Sequence, residues 1–115
     1  MRRYDFAIVG AGVCGAWIAY ELSKRDLSVV VLEKESDVCQ GTSKANSAIV
    51  HAGYDPIPGS LMATLNVRGN ELIRKLHDEM SIPFKQVGSL VVAFDYEGVD
   101  VIRKLYDRGE SNGVP

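Results

Sequence analysis

Cysteine is scarce in this sequence, and its two copies are far apart. Cys14 and Cys39 form no CxxC pair, and no histidine cluster stands near either of them. That spacing supports neither a metal site nor a redox-active pair. We therefore expect no metal ion, and we expect both cysteines to be small buried or loop residues of a cytoplasmic protein in a reducing compartment.

An excess of charge of either sign is also missing. The sequence has 13 lysines and arginines against 15 aspartates and glutamates, for a formal net charge of −2. No run of like charges interrupts this balance. The chain therefore lacks the basic field that attracts nucleic acid, and we expect no nucleic-acid partner.

No apolar run is long enough to cross a bilayer. Residues 6–20 are mostly apolar and follow Met1-Arg2-Arg3, but the stretch is short and lies between Asp5 and Glu21. We therefore expect neither a signal peptide nor a transmembrane anchor. Peripheral contact with a membrane stays open.

Glycine, in contrast, is concentrated in one place. Gly10, Gly12 and Gly15 directly follow an apolar run over residues 4–9, which we predict to be a β-strand. In a dinucleotide-binding βαβ unit the first glycine permits a sharp turn, the second admits a pyrophosphate, and the third lets the helix approach the sheet. The sequence therefore predicts a pyrophosphate site at this turn.

The residues after the turn complete such a unit. A helix is predicted from Val13 and Cys14 onward, with its first amides and the positive end of its dipole facing the phosphates. Residues 28–32 form a second apolar run with three valines, typical of a parallel strand buried on both faces. Glu33 follows it and can accept hydrogen bonds from both hydroxyls of an adenosine ribose, with Lys34 beside it.

Residues 35–47 have almost no periodicity and are rich in hydroxyl, amide and glycine residues. They form either a plain surface loop or a set of donors along an extended cofactor. The preceding βαβ unit favours the second interpretation. The candidate donors are Thr42, Ser43, Asn46 and Ser47.

The remaining residues predict a helix, a strand and a second helix. Ser60 is the predicted N-cap of a helix that continues through Met80 and that Pro83 must end. A strand is predicted over residues 87–94. A closing helix then ends at Asn112-Gly113.

Several segments together carry a family resemblance. They are residues 10–15, which we call the glycine turn, with Ala19, then Glu33-Lys34, Gly41-Thr42-Ser43, residues 46–53 and residues 58–61. With them the sequence resembles the N-terminal part of the FAD-dependent oxidoreductases of the D-amino-acid oxidase superfamily. It is most similar to the branch of glycerol-3-phosphate dehydrogenase-like proteins and L-2-hydroxyglutarate dehydrogenases. The resemblance covers nearly all 115 residues.

The resemblance implies an α/β fold that opens with a Rossmann-like FAD/NAD(P)-binding βαβ unit and leaves its sheet incomplete. Residues 1–82 would be the N-terminal part of the FAD-binding domain, and residues 83–115 the truncated start of a substrate domain. We expect the chain by itself to be inactive and poorly stable, because its strands would lack neighbours.

The resemblance also implies the chemistry. Bound FAD would accept a hydride from a small hydroxy substrate such as glycerol 3-phosphate or a 2-hydroxy acid, and a quinone, oxygen or redox protein would then accept the electrons. His51 is the candidate catalytic residue, with a hydrogen-bonded structural role as the alternative. An NAD-dependent dehydrogenase and a non-catalytic dinucleotide-binding module remain as alternative functions.

Overall fold

The computed structural model describes residues 2–114, which separate into two units with the division between Ile49 and Val50. The assignment of residues 1–82 and 83–115 to two domains stays a prediction.

The first unit contains the predicted βαβ arrangement. Strand β1 (Phe6–Val9) and strand β2 (Val29–Leu32) pair in parallel, with Phe6 opposite Val29 and Val9 opposite Leu32. Helix α1 (Val13–Ser23) connects them and contacts both strands. The α/β fold with a small parallel sheet is therefore confirmed.

Asp5 and Ser28 join the two strands where they begin. The Asp5 carboxylate accepts hydrogen bonds from the Ser28 hydroxyl at 2.6 Å and from the Ser28 amide at 2.8 Å. The Ser28 hydroxyl and amide thereby lower the pKa of Asp5 below its ordinary value. These bonds set the start of the parallel ladder one residue later, at Phe6 and Val29.

The second unit contains two helices, α2 (Leu61–Leu76) and α3 (Tyr96–Asn112), which contact each other. The predicted cap of α2 is confirmed, since the Ser60 hydroxyl accepts the Ala63 amide at 3.2 Å. Asp95 caps α3 in the same way, accepting the Gly98 amide at 2.7 Å. Gly113, with φ of 76°, ends α3 as predicted.

The regular part of α2 is shorter than predicted, although the Met80 amide still donates to the Leu76 carbonyl at 2.9 Å. The regular helix ends at Leu76, and residues 77–81 form turns. Ser81 adopts a left-handed φ of 52°, and the Ile82 amide donates to the His77 carbonyl at 2.8 Å. This is the bond pattern that closes a helix terminus, and it stops the helical backbone ahead of Pro83.

The strand predicted over residues 87–94 does not form within the described chain, where its expected pairing partners are absent. No ladder forms there among residues 2–114, and the side chains of Leu90 and Phe94 are 92% and 97% exposed. A strand requires the backbone groups of a neighbour, and none of the described strands pairs with this segment. High β-propensity alone therefore leaves the segment without regular structure.

Apolar burial is slight in both units. Ala11, Pro56 and Ala63 are the buried apolar residues, glycine aside, of the part of the chain that the structure describes. Contrary to the prediction for a doubly buried strand, Val31 and Leu32 of β2 are exposed, because a two-stranded sheet has only α1 to cover it. Within residues 2–114, no helix combines the length and apolar character needed to cross a membrane.

Candidate functional site

The glycine turn lies between the end of β1 and the start of α1. Gly10 adopts a φ of 98°, a conformation that favours glycine, and its amide donates to the Leu32 carbonyl of the neighbouring strand at 2.7 Å. A Cβ atom on Gly15 would overlap the carbonyl oxygen of Gly10. The sharp turn and the close approach of the helix therefore both have the geometry that the glycine spacing predicts.

The N-terminus of α1 is suited to an anion. The first amides of a helix have no partner within the helix, and the helix dipole places positive potential there. Gly12 is the N-cap and supplies no side-chain cap, and the first turn of α1 has no acidic residue. A pyrophosphate is the kind of group that such a terminus binds.

The loop over residues 35–47 folds back onto this turn through Ser43. The Ser43 hydroxyl accepts the amide of Val13 at 2.8 Å, and a Cβ atom on Gly12 would lie 3.0 Å from the same oxygen. Glycine at position 12 therefore lets a hydroxyl approach the helix terminus. Sequence reasoning assigned Ser43 to the loop but gave no sign of this contact.

Asn46 binds the main chain at Ser43 and Ala48. Its side-chain amide donates to the Ser43 carbonyl at 2.7 Å, and its oxygen accepts the amide of Ala48 at 2.8 Å. Thr42 and Ser47 are exposed on either side. Of the four predicted donors, Ser43 thus reaches the glycine turn and Asn46 holds it there.

Cys39 is a second contact between this loop and the turn, and sequence reasoning missed it. Its amide donates to the Ala11 carbonyl at 3.1 Å, its thiol lies 3.6 Å from the same oxygen, and its φ is 58°. Cys39 is a half-buried loop residue, as expected.

Cys14 is instead exposed in the first turn of α1, because the helix places its side chain on the outer surface. Both cysteines are free.

Glu33 binds the glycine turn through its carboxylate. One oxygen accepts the Ala11 amide at 2.7 Å, and the other accepts the amides of Lys34 and Glu35 at 2.8 and 3.1 Å. The Ala11 amide, followed by the Glu35 amide, lowers the pKa of Glu33. A carboxylate has about four acceptor positions, so these three bonds leave about one for a ribose hydroxyl.

His51 belongs to the second unit and is exposed. Its main-chain carbonyl accepts a hydrogen bond from the Asn70 side chain of α2 at 3.1 Å. The residue is therefore held through its backbone while the imidazole faces solvent. A catalytic role for His51 stays a prediction.

The turn that follows His51, residues 53–56, is bound by α3. Asn112 donates to the carbonyls of Gly53 and Pro56, each at 2.9 Å, and Arg108 donates to the Asp55 carbonyl at 3.0 Å. Sequence reasoning used Asn112 only as the end of a helix. No local pattern signals a contact between residues more than 50 positions apart.

Comparison with known proteins agrees with this geometry. The family model described as "DAO: FAD dependent oxidoreductase" matches residues 5–115. Glycerol 3-phosphate dehydrogenase from Caloramator mitchellensis is 54% identical over 97% of this chain and 23% of its own length. Mitochondrial L-2-hydroxyglutarate dehydrogenase from Nematostella vectensis is 42% identical over 98% of this chain and 25% of its own length.

A solved structure is similar as well. Dithionite-reduced L-alpha-glycerophosphate oxidase from Mycoplasma pneumoniae, with FAD bound, superposes with a TM-score of 0.78 at 37% identity, over all of this chain and 30% of that one. The chain thus spans about a quarter of the length of the curated relatives it matches. With the family model covering nearly the whole chain, the protein belongs to the DAO family of FAD-dependent oxidoreductases.

Proposed function

We propose that this chain forms the FAD-binding N-terminal part of an FAD-dependent dehydrogenase or oxidase. The observation that carries the proposal is the close approach of Ser43 and α1 to the glycine turn, in a chain that matches the family over residues 5–115. The family match favours FAD over NAD as the cofactor. Residues 1–82 and 83–115 are assigned to the FAD-binding and substrate domains on the family resemblance.

The pyrophosphate of FAD would bind at the start of α1. The residues that would contact it there are Gly10, Gly12, Val13, Cys14 and Gly15. The Ser43 hydroxyl uses a lone pair to accept the Val13 amide, so its proton is left to donate to a phosphate oxygen. Backbone amides and one hydroxyl are a suitable set for this anion because they supply donors and add no negative charge.

Glu33 would accept a hydrogen bond from the adenosine ribose, beside Lys34. Its lowered pKa keeps the carboxylate ionised at neutral pH, where it serves only as an acceptor. A second ribose bond would require one of its three backbone bonds to lengthen. From there Thr42, Ser43, Asn46 and Ser47 would supply donors toward the flavin.

The reaction we propose is oxidation of a small hydroxy substrate, such as glycerol 3-phosphate or a 2-hydroxy acid. Bound FAD would supply the group that accepts the hydride. His51 is proposed to take the proton from the substrate hydroxyl, since an imidazole nitrogen can act as a general base. A quinone, oxygen or a redox protein would be the electron acceptor, and we propose a cytoplasmic location.

The deciding experiment is to purify the full-length protein that contains these residues and identify its cofactor. We expect a yellow protein that releases FAD on denaturation and whose flavin is bleached anaerobically by glycerol 3-phosphate or L-2-hydroxyglutarate. Colourless protein that binds NAD would contradict the proposal. Bound FAD that neither a hydroxy acid nor glycerol 3-phosphate reduces would instead support a non-catalytic module.

A further inference from the structure

Asn112 is placed to hold the turn after His51 rather than simply to end a helix. Both hydrogen bonds of its side-chain amide go to that turn, at the carbonyls of Gly53 and Pro56. Its side-chain oxygen is buried and has no hydrogen-bond partner among residues 2–114. A buried acceptor without a partner is unfavourable, so the donors of this side chain account for its orientation.

Asn70 binds the residue before Ala52, whereas Asn112 binds the residue after it. Asn70 lies on α2 and donates to the carbonyl of His51 itself. Two asparagines from two helices thus bind the main chain at His51 and at Gly53. We call Asn70 and Asn112 the amide clamp.

The segment between the two amides has little freedom to adapt. Gly53 has a φ of 103°, and a Cβ atom there would lie 2.8 Å from a methyl carbon of Val67 on α2. On the opposite side, Gly109 of α3 is buried, and a Cβ atom on it would lie 3.3 Å from the Cβ atom of Tyr54. The turn is therefore packed against Val67 of α2 and against Gly109 of α3, and side chains of α3 bind its carbonyl groups.

We propose that the amide clamp positions His51, so that Asn70 and Asn112 are positioning residues for the oxidation step. This inference rests on the proposed function. Both side chains donate to main-chain carbonyls, so each would act by fixing the backbone from which His51 extends. A displacement of about 1 Å in a catalytic group can lower a rate about 100-fold, which makes backbone fixation matter for turnover.

The test is a double-mutant cycle in the full-length flavoprotein. The variants are Asn112→Ala, His51→Asn and the two combined, with Ser111→Ala as the control because that side chain donates only within α3. The measured quantity is the rate constant for anaerobic flavin reduction. The substrate is glycerol 3-phosphate or L-2-hydroxyglutarate, whichever reduces the wild-type flavin faster.

We expect Asn112→Ala to lower this rate constant about 10- to 100-fold when His51 is present and less than about 3-fold when His51 is already asparagine. Bound FAD should stay at the wild-type stoichiometry, and Ser111→Ala should stay within about 2-fold of wild type. Asn70→Ala, made in the same two backgrounds, gives an independent second measurement from the other helix. It stands in for Asn112→Ala if that variant fails to fold.

Equal losses in both backgrounds, or no loss with FAD fully bound, would overturn the amide clamp and leave the proposed function intact. A wild-type protein without FAD would overturn the proposed function and the clamp together. The cycle separates positioning from general stabilisation because a purely structural side chain lowers the rate whether or not His51 is there.

Discussion

At the scale of single residues, the glycines of the turn are required for different physical reasons. Gly10 adopts a positive φ, while the other two admit close neighbours: a hydroxyl at Gly12 and a carbonyl at Gly15. The spacing of the glycines was readable from the sequence. The identity of the hydroxyl near Gly12 was not, because Ser43 lies 30 residues beyond the amide that it accepts.

Replacing Gly15 by alanine tests the close packing. The added methyl group would overlap the Gly10 carbonyl. In the full-length protein we therefore expect the free energy of unfolding to fall by about 1–3 kcal/mol. We also expect FAD to bind at least about 10-fold more weakly. Urea unfolding and FAD titration measure the two effects.

Gly69→Ala is the matched control, because Gly69 lies within α2 and no atom lies close to the position of its Cβ atom. Alanine at this position should raise the free energy of unfolding by about 0.5–1 kcal/mol. Wild-type FAD affinity in Gly15→Ala would contradict the packing argument.

The lowered pKa of Glu33 should make the free energy of unfolding depend on pH. Its pKa is lowered in the folded protein, chiefly by the Ala11 amide, so its stabilising effect is complete above the ordinary value of 4.5. The effect is lost as the pH falls through the lower folded-state value. The urea midpoint of the full-length protein, followed by circular dichroism, should therefore fall more steeply in acid for wild type than for Glu33→Gln. Parallel curves for the two proteins would contradict this assignment.

At the scale of elements, local signals predicted two helix caps, at Ser60 and Gly113, better than they predicted strand pairing. The Ser60 cap and the Gly113 terminus depend on residues within one turn of the helix end, so the sequence was sufficient for both. The segment over residues 87–94 has strand-forming residues but no paired neighbour in the described chain. Strand formation depends on a partner far away in sequence, and composition cannot supply one.

Two glycines of the second unit separate backbone strain from packing. Gly53 and Gly59 both have a positive φ, of 103° and 78° respectively. A Cβ atom on Gly53 would lie against Val67, whereas a Cβ atom on Gly59 would have no atom within 4 Å. Alanine at either site should be destabilising, and we expect Gly53→Ala to cost about 1–3 kcal/mol more than Gly59→Ala. Chemical unfolding of the two variants measures the difference. Equal losses would show that the turn is not packed tightly on α2.

At the scale of the whole molecule, the chain exposes much apolar surface. Val9 and Leu61, one from each unit, are 86% and 76% exposed, and the unpaired segment over residues 87–94 adds Leu90 and Phe94. Exposed apolar patches of this kind mark contact surfaces or cause association. The curated relatives that match this chain are about four times as long.

We therefore expect the 115-residue chain on its own to self-associate. Replacing Leu90 and Phe94 together by serine should lower the mean mass seen by sedimentation at micromolar concentration, because these side chains are the most exposed of the unpaired segment. The helical signal in circular dichroism should stay unchanged, since neither residue lies in a helix. A double variant that associates as strongly as wild type would place the contact surface elsewhere.

The sequence by itself determined the βαβ unit, the glycine turn and the caps at Ser60 and Gly113, because each depends on residue types at short, regular spacing. Its motifs taken together also indicated the family. Only the tertiary structure decided which groups close around the turns. Glu33 and Ala11 are 22 positions apart, Ser43 and Val13 are 30 apart, and Asn112 and Gly53 are 59 apart. Contacts across such distances form only when the elements pack, and no local pattern encodes which partners then meet.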